Sequence, residues 1–299
     1  MKQESDFVIR ETSSRRYGWK RLSICIVILI WGAMQVTAFH YQPDPNRMHP
    51  LIIKSGNTIE SRFRPPQGFQ RIKIRDNSFA SHLRRLPLKR HGSNVHYYNG
   101  KIKANRGIYD AVIDLKIGRR DLHQCADAVM RLRADYLWKA KQYNRICFNF
   151  TSGFPAKYSK WRQGYRISVK GNRVSWYKSD HPSKSYRSYW KYLEQIFTYA
   201  GTYSLSKELK KQSVNRLEIG DVFIKGGFPG HAVIVIDMAV NPKNGKRIFL
   251  LAQSYMPAQE IQVLKNPNDS SISPWYSTEF GNTLQTPESE FTINQLKRF

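Results

Sequence analysis

The stretch from Gly220 to Tyr255 constrains the fold of this chain more than any other. Gly220-Asp221 precedes a short apolar segment, Gly230-His231 opens the run HAVIVID, and a second apolar run, IFLLAQSY, follows a Pro-Lys-Asn-Gly turn. Glycine and proline punctuate the apolar runs, which is how a strand, turn and strand are written. If residues 231–238 pair with 247–255 through that turn, Gln253 falls near His231 across the ladder. Gln253 shares a face with Phe249 and Leu251. A polar amide there needs a partner, and an imidazole N–H would supply one.

The chain has 299 residues, enough to bury a core in one large domain or one and a half. Hydrophobic residues at 40% and aromatics at 13% fit a globular fold rather than disorder. The net charge of +27 marks a protein that attracts polyanions. Which polyanion it meets depends on the compartment.

Residues 1–21 carry Arg10, Arg15, Arg16, Lys20 and Arg21, and the 18 residues from Leu22 to Phe39 are uncharged. A basic flank ahead of an apolar stretch reads as a signal peptide or signal anchor over 1–39. It is either cleaved after Ala38 or kept as a spanning helix that ties the protein to the membrane. The positive flank would stay cytoplasmic, which places residues 40–299 in the periplasm or cell envelope. Beyond residue 38 the charge is still +24. In that compartment the expected partners are peptidoglycan or other anionic envelope polymers, and nucleic acid is not expected.

Residues 40–66 are rich in Pro, Asn, Arg and His and read as a linker. A single domain then spans 67–299. VHYYNGKIK reads as a hairpin on its Asn-Gly turn, YDAVIDLKI as a strand, and RICFNFT as another. The clearest helix covers 122–143, with Asp121 as N-cap and Gln124 three residues on. Its apolar stripe is Leu122, Cys125, Val129, Leu132 and Tyr136. Residues 145–215 form an inserted aromatic-basic segment, with helical spacing over 185–212 that breaks at Gly201. Residues 256–299 read as a wrap with a short final helix.

Two cysteines follow the leader, Cys125 and Cys147. No Cys/His spacing suits zinc, so neither a metal nor another cofactor is expected, while an exported compartment would permit a disulfide between the two. Thiol hydrolysis needs a thiolate, a base within reach and a group that orients the base. Cys125 lies in the first turn of its helix, where the positive end of the helix dipole favours the thiolate. Cys147, in a strand, is the rival nucleophile. His231 is the candidate base and Gln253 the orienting group, with Asp237 and Asn241 as weaker choices. Gly230, Asp221, Trp161 and Trp176 are the candidate substrate-binding residues. Trp161, Trp176 and Trp190 would offer sugar-stacking platforms if they lie at the surface.

Over about residues 60–299 the chain resembles a bacterial family of domains of unknown function, number 4846. The stretches that carry this are RDLHQCADAVMRLRADYLW, FNFTSGF, YSKWRQGYRI, GDVFIKGGFPGHAVIVIDMA and FLLAQSYMPAQEI. More distantly, the order QCADAV, GDV, GHAVIVID, FLLAQS is similar to that of papain-like CHAP amidases and NlpC-type endopeptidases. That resemblance implies an α+β, papain-like fold: an antiparallel sheet packed against a nucleophile-bearing helix, here with the inserted segment. It implies Cys125 as nucleophile, His231 as base and Gln253 as orienting residue, in an exported cysteine hydrolase of peptide or amide bonds in peptidoglycan. The alternative is a non-catalytic envelope-binding or scaffold protein on the same framework.

Overall fold

A computed structural model of the protein describes residues 50–299. The leader expected over 1–39 lies outside the described residues.

The strand His231–Val240 is the spine of the molecule, with nine of its ten residues buried. It pairs antiparallel with Arg247–Gln253 on one side, Arg247 opposite Val240 and Leu251 opposite Val235, with a register shift between Leu250 and Leu251. On the other side it pairs antiparallel with Val222–Lys225. Beyond Arg247–Gln253 lie Gln262–Leu264 and then Tyr109–Val112, and beyond Val222–Lys225 lie Leu296–Arg298 and Lys210–Lys211. Gln70–Arg71 and Tyr276–Ser277 attach at the far end of the central hairpin. The fold is mixed α+β on an antiparallel sheet.

The Gly-Asp turn ahead of the spine closes through its backbone. Gly220 donates to Val235 O and Val235 donates to Asp221 O, each at 2.8 Å. Gly220 sits at φ +101°, and a Cβ there would meet the Phe79 ring at 2.8 Å, so glycine is required. The one carboxylate inside the apolar run, Asp237, is fully buried and held by Arg71 and Arg84 Nε at 2.7 Å each. Its charge is matched on two sides, as a buried carboxylate demands.

The helix Cys125–Lys139 lies on the sheet. It begins three residues later than the Asp121 cap predicts. Gln124 is the N-cap, and its amide donates to the Asp127 carboxylate at 3.0 Å. Asp121 instead accepts from Gln124 Nε2 and from the Ala258 amide. All residues from Cys125 to Leu132 are buried, not only an apolar stripe, because the inserted layer covers the helix from outside. That layer contains helices Tyr158–Arg162, Tyr186–Tyr199 and Thr202–Glu208 and the hairpin Tyr165–Lys170/Arg173–Lys178. Gly201 separates the last two helices, as the spacing predicts.

Three expectations need correction. Residues 50–66 are not a tether: Ile52 bridges to Phe63, and Ile59 and Phe63 are wholly buried, because their apolar side chains dock on the core. VHYYNGKIK turns at Asn99-Gly100 but forms a single bridge, His96 to Ile102, rather than a full hairpin. Residues 256–299 are more than a wrap. They supply three strands of the main sheet and a hairpin, Thr283–Thr286 with Ser289–Thr292, and the last of the three is preceded by one short 3-10 turn. Their strands are short and largely polar, which leaves little periodic signal to read.

Candidate active site

Cys125 is the first residue of its helix, and it lines a cleft of about 270 Å³. Asp127, Thr202, Gly230, Phe228 and Met256 line the same cleft. Gly230 lets the chain pass close: a Cβ there would lie 2.2 Å from Thr202 Oγ1 and 2.4 Å from Gly227 O. Phe228 is 97% exposed, an uncommon setting for a large aromatic ring. The cleft floor is tight, since Cys125 itself is only 5% exposed.

His231 opens the spine strand, as expected from its glycine, and it is buried. The register places it diagonally across the ladder from Gln253. His231 Nε2 and Gln253 Oε1 lie 2.7 Å apart. Gln253 Nε2 in turn donates to Glu288 Oε2 at 2.6 Å, and Glu288 is paired with Lys103 Nζ at 2.8 Å. The His231 ring stacks on Phe291 at 5.9 Å and meets Tyr255 edge-on at 4.8 Å. Among the described residues, no hydrogen bond joins His231 to Cys125. Cys125 shares its cleft with Gly230, the residue before His231, and the Ala232 amide just after His231 is among the groups that lower the Cys125 thiol.

The electrostatics differ from the sequence-based expectation. Burial, with a smaller contribution from the Asp127 carboxylate, pushes the Cys125 thiol up to about 11. The amides of Ala126, Ala232 and Cys125 pull it down, yet desolvation wins over the helix start. Burial also holds Asp127 well above the usual carboxylate range, so its repulsion of a thiolate is lost to the extent that it keeps its proton. His231 is lowered to about 4, by burial first, while its bond to Gln253 raises it and Lys103 lowers it. At neutral pH the site therefore rests as thiol and neutral imidazole.

The remaining candidates are dispersed. Asp221 is fully buried and tied to Arg298, which donates from Nε at 2.6 Å, so it fastens the turn and does not line the cleft. Trp161 is 4% exposed and donates to Ser188, with Arg166 over its ring. It cannot stack a sugar. Trp176 points inward with Ile167, Val169 and Val174, because that face of its hairpin covers the core. Trp190 is likewise packed on the core, beneath Arg131. Cys147 stands on a small separate sheet, its thiol raised by burial and by Glu208, and it forms no disulfide with Cys125. Asp237 is committed to its arginines, and Asn241 caps the turn after the spine.

Lys103, Tyr255, Glu288 and Phe291 escape sequence reasoning. Lys103 is one of 49 cationic residues, and Glu288 sits in a two-residue turn with no periodic context. Only a lysine buried to 2% would betray the site, and burial of one lysine is not written in a sequence.

No curated protein and no solved structure matches the chain. A family model, described as domain of unknown function 4846, matches residues 59–298 and so spans nearly all of the described fold. The chain belongs to that family of domains of unknown function.

Proposed function

We propose that the protein is an exported cysteine hydrolase of the cell envelope that cleaves peptide or amide bonds. Cys125 is the nucleophile, His231 the base and Gln253 the group that orients the base, in a papain-like arrangement of helix and sheet. One observation carries this reading: a thiol at the first residue of a helix lines the same cleft as Gly230, the residue before an imidazole that is bonded to an amide oxygen. The imidazole, lowered to about 4, is uncharged at neutral pH and keeps a lone pair for the thiol proton, although burial makes it a weaker base than free imidazole.

Because the thiol rests protonated, its deprotonation accompanies attack. Sulfur bonds to the carbonyl carbon as the thiol proton passes to His231. The tetrahedral adduct collapses with cleavage of the C–N bond, and the imidazolium gives the proton to the leaving amine. Water then attacks the thioester carbonyl as it gives a proton to the same imidazole; the C–S bond breaks, the carboxylic acid leaves, and the imidazolium returns the proton to the Cys125 sulfur. The backbone N–H of Cys125 at the helix start would bind the oxyanion, a contribution of about 3 kcal/mol per donor in comparable sites. The basic leader and apolar segment of residues 1–39 support export. The charge of +27 supports anionic envelope polymers, peptidoglycan among them, as substrate or anchor.

Incubation with purified wall fragments, read by release of new amino groups, tests this. Turnover should vanish in Cys125→Ala and His231→Ala while both variants keep the wild-type far-UV spectrum. Undiminished turnover in Cys125→Ala ends the proposal. One observation favours a second reading, a binding protein on an inactive scaffold: the thiol raised to about 11 resists ionisation. That reading gains if the protein retains wall polymers while Cys125 remains unlabelled by thiol reagents.

A further inference from the structure

The Lys103–Glu288 pair reaches the imidazole through one intermediary, the Gln253 amide. Lys103 Nζ donates to both Glu288 oxygens, at 2.8 and 2.9 Å, and also sits over the Tyr255 ring at 5.4 Å. A carboxylate paired with an ammonium can only accept. Glu288 Oε2 therefore takes the NH2 end of the Gln253 amide, at 2.6 Å, and leaves only the carbonyl end for His231, at 2.7 Å. An amide oxygen also only accepts, so the proton between Gln253 and His231 belongs to His231 Nε2. A neutral imidazole holds one proton, and Nδ1 is left with the lone pair.

We infer that Lys103 and Glu288 are positioning residues that fix His231 as the Nε2–H tautomer, so that Nδ1 is the basic nitrogen of the site. The word basic rests on the hydrolase reading; the tautomer does not. Without Glu288 the Gln253 amide is free to rotate by a half-turn, present its NH2 to Nε2 and reverse the tautomer. A stabilising role alone does not account for the pair. Desolvating an ammonium buried to 2% opposes the attraction it gains. The ion pair joins segments 185 residues apart, and its carboxylate lies on the hairpin that also brings Phe291 against the imidazole. Orientation of the amide is what the arrangement secures.

The test is 15N-detected NMR of the full-length protein labelled at histidine, at neutral pH and without substrate. Wild type should show His231 with a protonated Nε2 and an unprotonated Nδ1, at a ratio of tenfold or more. Glu288→Gln should cut that ratio by about tenfold, the equilibrium value of one buried hydrogen bond, with the other histidine signals unmoved. Glu288→Asp should keep the wild-type tautomer in part. If Glu288→Gln does not fold, the neutral pair Lys103→Met with Glu288→Gln serves in its place. A wild-type signal from Nδ1–H overturns the inference, as does an unchanged ratio in the variant. Absence of turnover with a correct tautomer would defeat the hydrolase reading alone.

Discussion

His123, two residues before the candidate nucleophile, should make this protein sensitive to acid. Its ring is fully buried, edge-on to Phe197 at 5.7 Å, and neither nitrogen has a hydrogen-bond partner among the described residues. Burial first, then Arg131, lowers it from 6.5 to about 3, while the nearby carbonyls of Gln259 and His123 itself pull only weakly upward. The folded state thus refuses a proton that the unfolded chain takes up below pH 6.5. Stability is unaffected above that pH, falls as pH drops through the window from 6.5 to 3, and levels off below it. Each unit of difference is worth about 1.4 kcal/mol, so His123 alone removes about 3 kcal/mol between about pH 7.5 and pH 4.5. His123→Leu deletes the titrating ring and leaves the carbonyl that accepts Ser254 Oγ at 2.9 Å in place. Urea unfolding of both proteins at the two pH values should show the variant gaining about 3 kcal/mol on wild type at the acid end. An equal difference at both pH values would refute the reasoning. His82 and His231, each lowered to about 4, add to the slope shared by both proteins and cancel in the comparison. Asp110, raised by burial, opposes it in both.

Gly230→Ala places a methyl among Thr202 Oγ1, Gly227 O and Lys225 O, the last at 2.9 Å. Thermal melting should show a loss of about 1–3 kcal/mol, and alkylation of Cys125 should slow as the cleft closes; a wild-type melt would contradict the contact. Asp237→Asn leaves two arginines facing a neutral amide. Denaturant unfolding should register a loss of about 3–5 kcal/mol, and a loss below 1 kcal/mol would show that the arginines find other partners.

The spine hairpin was legible because long apolar runs bounded by glycine leave few alternatives. Gln253 stood out as a polar side chain on an apolar face, but its bond to His231 also needs the register shift between Leu250 and Leu251, which no sequence pattern marks. The Cys125 helix was legible in place but not in its ends or its environment, since the expected 122–143 is Cys125–Lys139. Its stripe of three- and four-residue steps says one face is covered, whereas the inserted layer covers the other as well, and that contact comes from residues far along the chain. The same burial reverses the expected thiol acidity, since desolvation depends on packing rather than on helix position. Tryptophans in a basic stretch suggested a glycan surface, but a small layer needs its own core and uses them there. The outward face of the hairpin carries Arg166, Ser168, Lys170, Arg173, Ser175 and Tyr177 instead.

The hairpin Thr283–Thr286/Ser289–Thr292 brings both the carboxylate and the phenyl ring that brace the imidazole. A ribosome reaches these residues only after it has made the thiol, the cleft and the imidazole itself. A nascent copy therefore carries its sulfur through synthesis with the imidazole unbraced, and the proton on that ring acquires a fixed address only when residues near 290 fold back. Any reactivity that depends on this address begins only once that hairpin has folded onto the ring.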